Sequence, residues 1–322
     1  MIKICFLHPY VHDLESMISF CKLEMGGGEK CIHDNFIWNT TNPDILIGSE
    51  WIYYSPYLWN AFVYLYNKSD IKIEYSGEAH EPDFNIFDYC IGYSDQYENL
   101  DRYIRKECPF TQWPEFIKCR QNNHVLELDK KKNFCNFIYS NGNAHPMRDT
   151  LFSELTKYKM VNSLGKHLRN SYMPNIENIG NSVDIKSNFK FSIACENAEF
   201  DGYTSEKIVT SLNAHTIPIY WGNKNISADF NPECFINVRD FENFDQLREK
   251  IKEIDENEEL FESILNKEWQ TAEQVQQMKD RDIRYFSFFE KMNNGELKKK
   301  VPEGFHISLY RDRLFNGNWF AG

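Results

Sequence analysis

The sequence predicts an α/β protein made of two domains, each built on a parallel sheet. Three observations point there. The chain has 322 residues with 42% hydrophobic content, enough for two cores of about 100–200 residues each. Short apolar segments recur with helix-length stretches between them, which is the pattern of βαβ units. A charged break at Leu128-Asp129 and Lys130-Lys131-Lys132 is followed by a restart of the same pattern.

In the first domain the strand segments are Ile2–Leu7, residues 44–48 (DILIG), residues 72–75 (KIEY) and Tyr89–Gly92. Residues 55–66 between two of them read as an aromatic-rich helix. The second domain opens on residues 133–140, whose apolar positions alternate. Residues 148–159 follow as a helix, with Leu151, Phe152, Leu155 and Tyr158 at helical spacing. Further strands are expected around Val161, over Phe189–Cys195 and Ile217–Trp221, and before Val238. From Asp240 onward the chain reads as helical, with Leu247, Ile251, Ile254 and Leu260 on its apolar side. The expected division is 1–130, 131–300 and a tail over 301–322. Pro218 argues against an ordinary central strand in its run, and fits the first residues of a strand or a strand ending in a tight turn at Gly222.

Composition excludes several classes. A formal net charge of -12 disfavours general binding to nucleic acid. The nine cysteines are scattered with no C-x-x-C pair, which fits reduced, buried thiols in a cytosol rather than a metal or disulfide framework. The apolar start MIKICFL is too short for a signal peptide, and no apolar stretch approaches the ~18–20 residues of a membrane span. The expected location is cytoplasmic, with at most peripheral membrane contact through Lys298-Lys299-Lys300 and the aromatic end. Gly26-Gly27-Gly28-Glu29-Lys30 lacks the spacing of a phosphate loop and reads as a flexible loop. The lone D-x-D triplet, Asp280-Arg281-Asp282, lies in a charged helical stretch and is not read as a metal site.

The densest chemistry lies between Phe189 and Gly222. A strand ends at Cys195, and ligands of open α/β sheets bind beyond that carboxyl end. There stand Glu196, Asn197, Tyr203, Thr204, Glu206 and Lys207. Asp201-Gly202 marks a turn. Thr204 or Ser205 is placed to cap a helix that buries Ile208, Val209 and Leu212. The free N–H groups of its first turn suit a diphosphate. Lys207 in that turn opposes the helix dipole, a conflict a bound phosphate would remove; a solvated lysine is the plainer alternative. Tyr203 is open to a second reading as a core residue with its hydroxyl at the rim.

The ordered set Glu196-Asn197, Tyr203-Thr204-Ser205-Glu206-Lys207 and Thr216 to Gly222 (TIPIYWG) resembles the α-1,3-fucosyltransferases of glycosyltransferase family 10. Ser205 departs from the family's usual Thr but keeps the hydroxyl. Ser76-Gly77-Glu78 with the following NIFDY and IGY is similar to the family's acidic segment, and Tyr139-Ser140-Asn141 through Arg148 to its S-N…R segment. The resemblance covers roughly residues 71–238.

That resemblance implies a GT-B fold, with two Rossmann-like domains facing across a cleft, and transfer of L-fucose from GDP-fucose with inversion. Its acceptor would be an oligosaccharide, N-acetyllactosamine- or lactose-like, of the kind found on bacterial lipopolysaccharide. The resemblance maps the general base onto Glu78 and a phosphate contact onto Arg148. Glu206 would hold ribose hydroxyls or face the anomeric centre, with Glu196, Asn197, Tyr203, Thr204 and Lys207 binding the donor. His80, close to Glu78, would contact the acceptor or tune that carboxylate, against a plain reading as an exposed loop histidine. No metal is required, and a divalent ion would be dispensable. Two alternatives stay open: a transferase of the same fold using another nucleotide sugar, and an inactive protein that binds glycan or GDP.

Overall fold

Two fully parallel sheets organise the chain in the computed structural model, which describes residues 1–25, 36–106, 131–172, 179–302 and 307. The first unit comprises Met1–Glu107 with Lys279–Gly322, and the second Cys108–Met278.

The first unit holds β1 (Ile2–Leu7), α1 (Leu14–Met25), β2 (Phe36–Trp38), β3 (Ile45–Ser49), α2 (Pro56–Tyr66), β4 (Ile71–Tyr75), β5 (Tyr89–Gly92) and β6 (Tyr103–Arg105). Its strand order is β2-β1-β3-β4-β5-β6, all parallel. Successive side chains go to opposite faces. Ile4, Phe6, Ile45 and Ile47 join one apolar cluster, whereas Cys5 and Leu46 join another with Trp59 and Phe62 of α2. Ser55 starts α2 as expected, its hydroxyl accepting from the Leu58 N–H at 3.4 Å. The short strands β2 and β6 are additions to the sequence reading.

The second unit holds β7 (Asn133–Phe137), α3 (Met147–Thr156), β8 (Val161–Ser163), α4 (Ile179–Lys186), β9 (Phe189–Cys195), α5 (Glu206–Asn213), β10 (Ile217–Trp221), β11 (Ile236–Asn237), α6 (Phe244–Glu256) and α7 (Glu258–Leu265). Its order is β11-β10-β9-β7-β8. Counted from the unit's own first strand this is 2-1-3-4-5, the order that begins the first sheet too. In such sheets the connections reverse between the first and third strands, and the crevice above that switch point is where ligands bind. Here the switch lies between β7 and β9. α5 buries Ile208, Val209 and Leu212 as predicted.

Two expectations are corrected. Helix α8 (Ala272–Asn293) carries the chain out of the second unit into the first, so residues 279–300 do not belong to the second domain as expected. Tyr285, Phe288, Phe289 and Met292, at helical spacing, pack in the cluster of Ile4, Phe6, Ile45 and Ile73. The single helical run after Asp240 breaks at Asn257, whose extended backbone and side-chain bond to the Leu260 N–H start α7 afresh. Pro218 is the second residue of β10, which ends just before Gly222, as expected of a proline among the first residues of a strand. It pairs with Ser192 of β9, while pairing to β11 begins only at Ile219, so the missing N–H faces no partner strand. The glycine run 26–30, Lys130 and most of the tail lie outside the described residues.

Candidate active site

Register explains how the block from Phe189 to Gly222 folds on itself. β9 and β10 run in step to Cys195 and Trp221, so Glu196 and Gly222 leave the sheet side by side. The Glu196 N–H donates to the Trp221 carbonyl at 2.8 Å. Gly222 has φ +154, and a Cβ there would fall 2.7 Å from that of Glu196. Only glycine lets the two exits lie this close. Gly202, at φ 88, makes the turn expected of Asp201-Gly202.

Glu196 is fully buried. Its carboxylate accepts from the Ser205 N–H at 2.9 Å, the Ser205 hydroxyl at 2.5 Å and Lys207 Nζ at 3.2 Å. Lys207 also donates to Ser205 Oγ at 2.7 Å. The Ser205 hydroxyl is thereby occupied and makes no cap bond to α5. Lys207 is not a solvated lysine: its side chain is 17% exposed and lies 3.6 Å from Glu206 as well. Burial alone would lower its pKa, but Glu196 and Glu206 outweigh this and hold it above the ordinary value. The dipole conflict at the start of α5 is thus resolved within the protein, by Glu196.

Around the switch point the second unit forms a pocket of about 430 Å³. Four of the expected donor residues line it: Arg148, Asn197, Glu206 and Lys207. The loop after β7 docks on the loop after β9, with the His145 N–H donating to the Asn197 carbonyl at 2.7 Å. Tyr139 ties the two strand ends together, accepting from the Cys195 N–H and donating to the Ile193 carbonyl, each at 2.8 Å. Arg148, on α3, stacks over the Tyr139 ring at 4.2 Å and donates to the carbonyls of Asn141 and Cys195. Its buried Nε has no partner among the described residues, so the guanidinium keeps a donor in reserve. Glu206 is held below its usual range: burial opposes this, but Lys207 and Lys186 prevail.

Three expected donor residues do not line the pocket: Glu196 and Thr204 use their polar atoms inside the protein, and Tyr203 is buried. Glu196 supports Lys207. Thr204 is 1% exposed and its hydroxyl accepts from Asn223 Nδ2 at 3.1 Å. Tyr203 is buried, at 3% exposed, in line with its core reading. Two residues escaped the sequence reading. Asn223 pins the loop by accepting from the Gly202 N–H at 2.8 Å. Lys186, at the end of α4, lines the pocket; a lysine closing a helix is so common that its sequence carries no special signal.

Glu78 and His80 belong to the first unit, beyond the carboxyl end of β4. Because Ser49 pairs with Tyr75, Glu50 lies beside the turn that carries Glu78 and accepts from the Gly77 N–H at 3.2 Å. Glu50 is pushed up to about 7, by burial first and by the Glu78 charge in addition, against the Gly77 bond and Lys106. His80 is half-buried rather than an exposed loop histidine. Its Nε2 bonds Glu74 Oε1 at 3.1 Å, and Glu74 also accepts from Tyr53 and the Asp83 N–H. Burial lowers the His80 pKa, but Glu74 more than reverses it. Neither Glu50 nor Glu74 stood out in sequence, since each looks like a solvated acid at or near a strand end. Asp280 and Asp282 fall within α8. Among the described residues no helix is long and apolar enough to cross a membrane.

Two parallel-sheet α/β units, the second with a cationic, polar pocket at its switch point, give the chain the two-domain architecture of a GT-B type protein. Residues 128–302 match the model of glycosyltransferase family 10 (fucosyltransferase), C-terminal part, and residues 34–112 that of the alpha-(1,3)-fucosyltransferase FucT N-terminal domain. The chain belongs to glycosyltransferase family 10. It is 33% identical over 213 residues to alpha-(1,3)-fucosyltransferase FucT of Helicobacter pylori, covering 56% of this chain and 43% of that protein. It is 28% identical over 206 residues to GDP-fucose protein O-fucosyltransferase 3 of Xenopus tropicalis, covering 59% and 41%. The matches thus span less than half the length of these relatives. A crystal structure of an alpha1,3-fucosyltransferase superposes with a TM-score of 0.71 at 23% identity, covering 90% of both chains. One with GDP-fucose gives 0.66 at 24% identity over the same shares. These two likenesses establish the fold.

Proposed function

We propose that this protein transfers L-fucose from GDP-fucose, with inversion, to a GlcNAc or Glc hydroxyl at the 3 or 4 position of a β-galactoside-containing glycan. The observation that carries the reading is the pocket itself: Arg148, Asn197, Glu206 and Lys207 converge at the switch point of a family 10 chain. The donor's diphosphate sits against Arg148 and Lys207, whose charges stabilise GDP as it leaves. Arginine suits this role because its fork binds two phosphate oxygens at once. Glu206 binds ribose hydroxyls or faces the positive charge that develops at the anomeric carbon. Glu78 takes the proton of the attacking acceptor hydroxyl, with His80 beside the acceptor. The fucosyl C1–O bond to phosphate breaks as the bond to the acceptor oxygen forms, and GDP departs with the electron pair. No step calls for a metal.

The reading is tested by incubating the protein with GDP-fucose and N-acetyllactosamine, lactose, or a folded protein domain, and determining the product linkage by NMR. An α-linked fucose on GlcNAc or Glc is the expected product. Turnover of GDP-mannose alone would favour a different sugar nucleotide. Fucosylation of the protein domain alone would replace the glycan acceptor, and GDP binding without any transfer would leave a binding protein.

A further inference from the structure

Lys186 closes α4 and is 7% exposed. Its Nζ donates to Thr210 Oγ1 at 2.8 Å and to Ser211 Oγ at 3.2 Å. Both acceptors are neutral hydroxyls. An ammonium group has three N–H donors, so one remains for the pocket that Lys186 lines. Its charged surroundings are Glu206 and Lys207 of α5 and Arg148 of α3. On β9, Lys190 is engaged by Asp255 at 2.9 Å, and Asp184 of α4 is exposed.

Charge in the pocket is unevenly satisfied. Lys207 is paired with Glu196 and Glu206. Among the described residues, Arg148 and Lys186 form no ion pair. The diphosphate of a sugar nucleotide carries two negative charges, and these two cations stand ready for them. We propose that Lys186 is a further donor-binding residue, donating to a phosphate oxygen of the nucleotide alongside Arg148. This rests on the GDP-sugar reading of the pocket.

The contact has a signature. In the free protein burial pulls Lys186 down to about 8, with Glu206 only partly offsetting it. A phosphate beside it favours the charged form, so above about pH 8 GDP binding takes up a proton. The same depression makes Lys186 a burden on the free protein. Between pH 8 and the ordinary lysine value the unfolded chain binds more protons, so stability contributed by this group rises with pH. At pH 7 the buried charge opposes folding in full.

Calorimetric titration of the whole chain with GDP, from pH 7 to 9.5 in two buffers of different ionisation enthalpy, tests this. Wild type should bind more weakly as pH rises and take up a proton. Lys186→Met should lose at least about tenfold in affinity at pH 7, the scale of one charge-assisted hydrogen bond, with little pH dependence left, yet melt at a higher temperature. Lys186→Arg should restore binding without proton uptake, since arginine stays charged. Guanosine, read as a competitor of GDP, should lose nothing in Lys186→Met. GDP affinity in Lys186→Met equal to wild type at pH 7 would overturn the proposal, as would an equal loss for guanosine and GDP. Failure of wild type to bind GDP would instead overturn the reading of the pocket.

Discussion

At the scale of single residues, the Glu196–Lys207 pair governs the site. The sequence placed a lysine against a helix dipole and suggested phosphate as the remedy. The structure supplies a carboxylate of its own, fully buried, at 3.2 Å. Removing one partner of a buried pair leaves an uncompensated charge, which costs about 3–5 kcal/mol. Lys207→Ala is therefore expected to lower unfolding free energy by that order in a urea titration, as well as weakening GDP. The double variant Lys207→Met with Glu196→Gln should recover most of the stability and none of the GDP affinity. Recovery of both would make Lys207 purely structural. Sequence reading found both residues because they lie in one contiguous block. It could not see that they satisfy each other, since the register of β9 and β10 decides that.

At the scale of elements, the same register sets the identity of Gly222. A side chain there collides with Glu196, whose position also fixes Ser205 and Lys207. Gly222→Ala should accordingly reduce GDP affinity and thermal stability together, although residue 222 lines no part of the pocket. An alanine variant with wild-type GDP binding would show that the loop tolerates the shift. Long, strongly periodic elements were legible: β9, α2 and the apolar face of α5. What periodicity could not supply was nonlocal. Glu50 meets the Gly77 turn only because β3 lies beside β4, and Glu74 meets His80 only because the chain folds back over β4. Asn257 splits a run of helix formers by capping a new helix, a choice that composition does not reveal.

At the scale of the molecule, the two sheets share the 2-1-3-4-5 order, and four of the expected donor residues, Arg148, Asn197, Glu206 and Lys207, line the pocket at the switch point of the second. The α/β class was readable from strand spacing, and Asn197, Glu206 and Lys207 of the pocket from one motif block. The domain boundary was not, because α8 enters the first unit through Tyr285, Phe288, Phe289 and Met292. Those residues carry a plain helical stripe that names no partner sheet. Under the proposed function the second unit binds the donor and Glu78 of the first removes the acceptor proton. The most direct test of this division pairs GDP titration with a transfer assay on Glu78→Ala and Arg148→Ala. Glu78→Ala should abolish transfer while binding GDP within a factor of about two of wild type, and Arg148→Ala should weaken GDP at least about tenfold. Loss of GDP binding in Glu78→Ala, or transfer that survives it, would contradict the account.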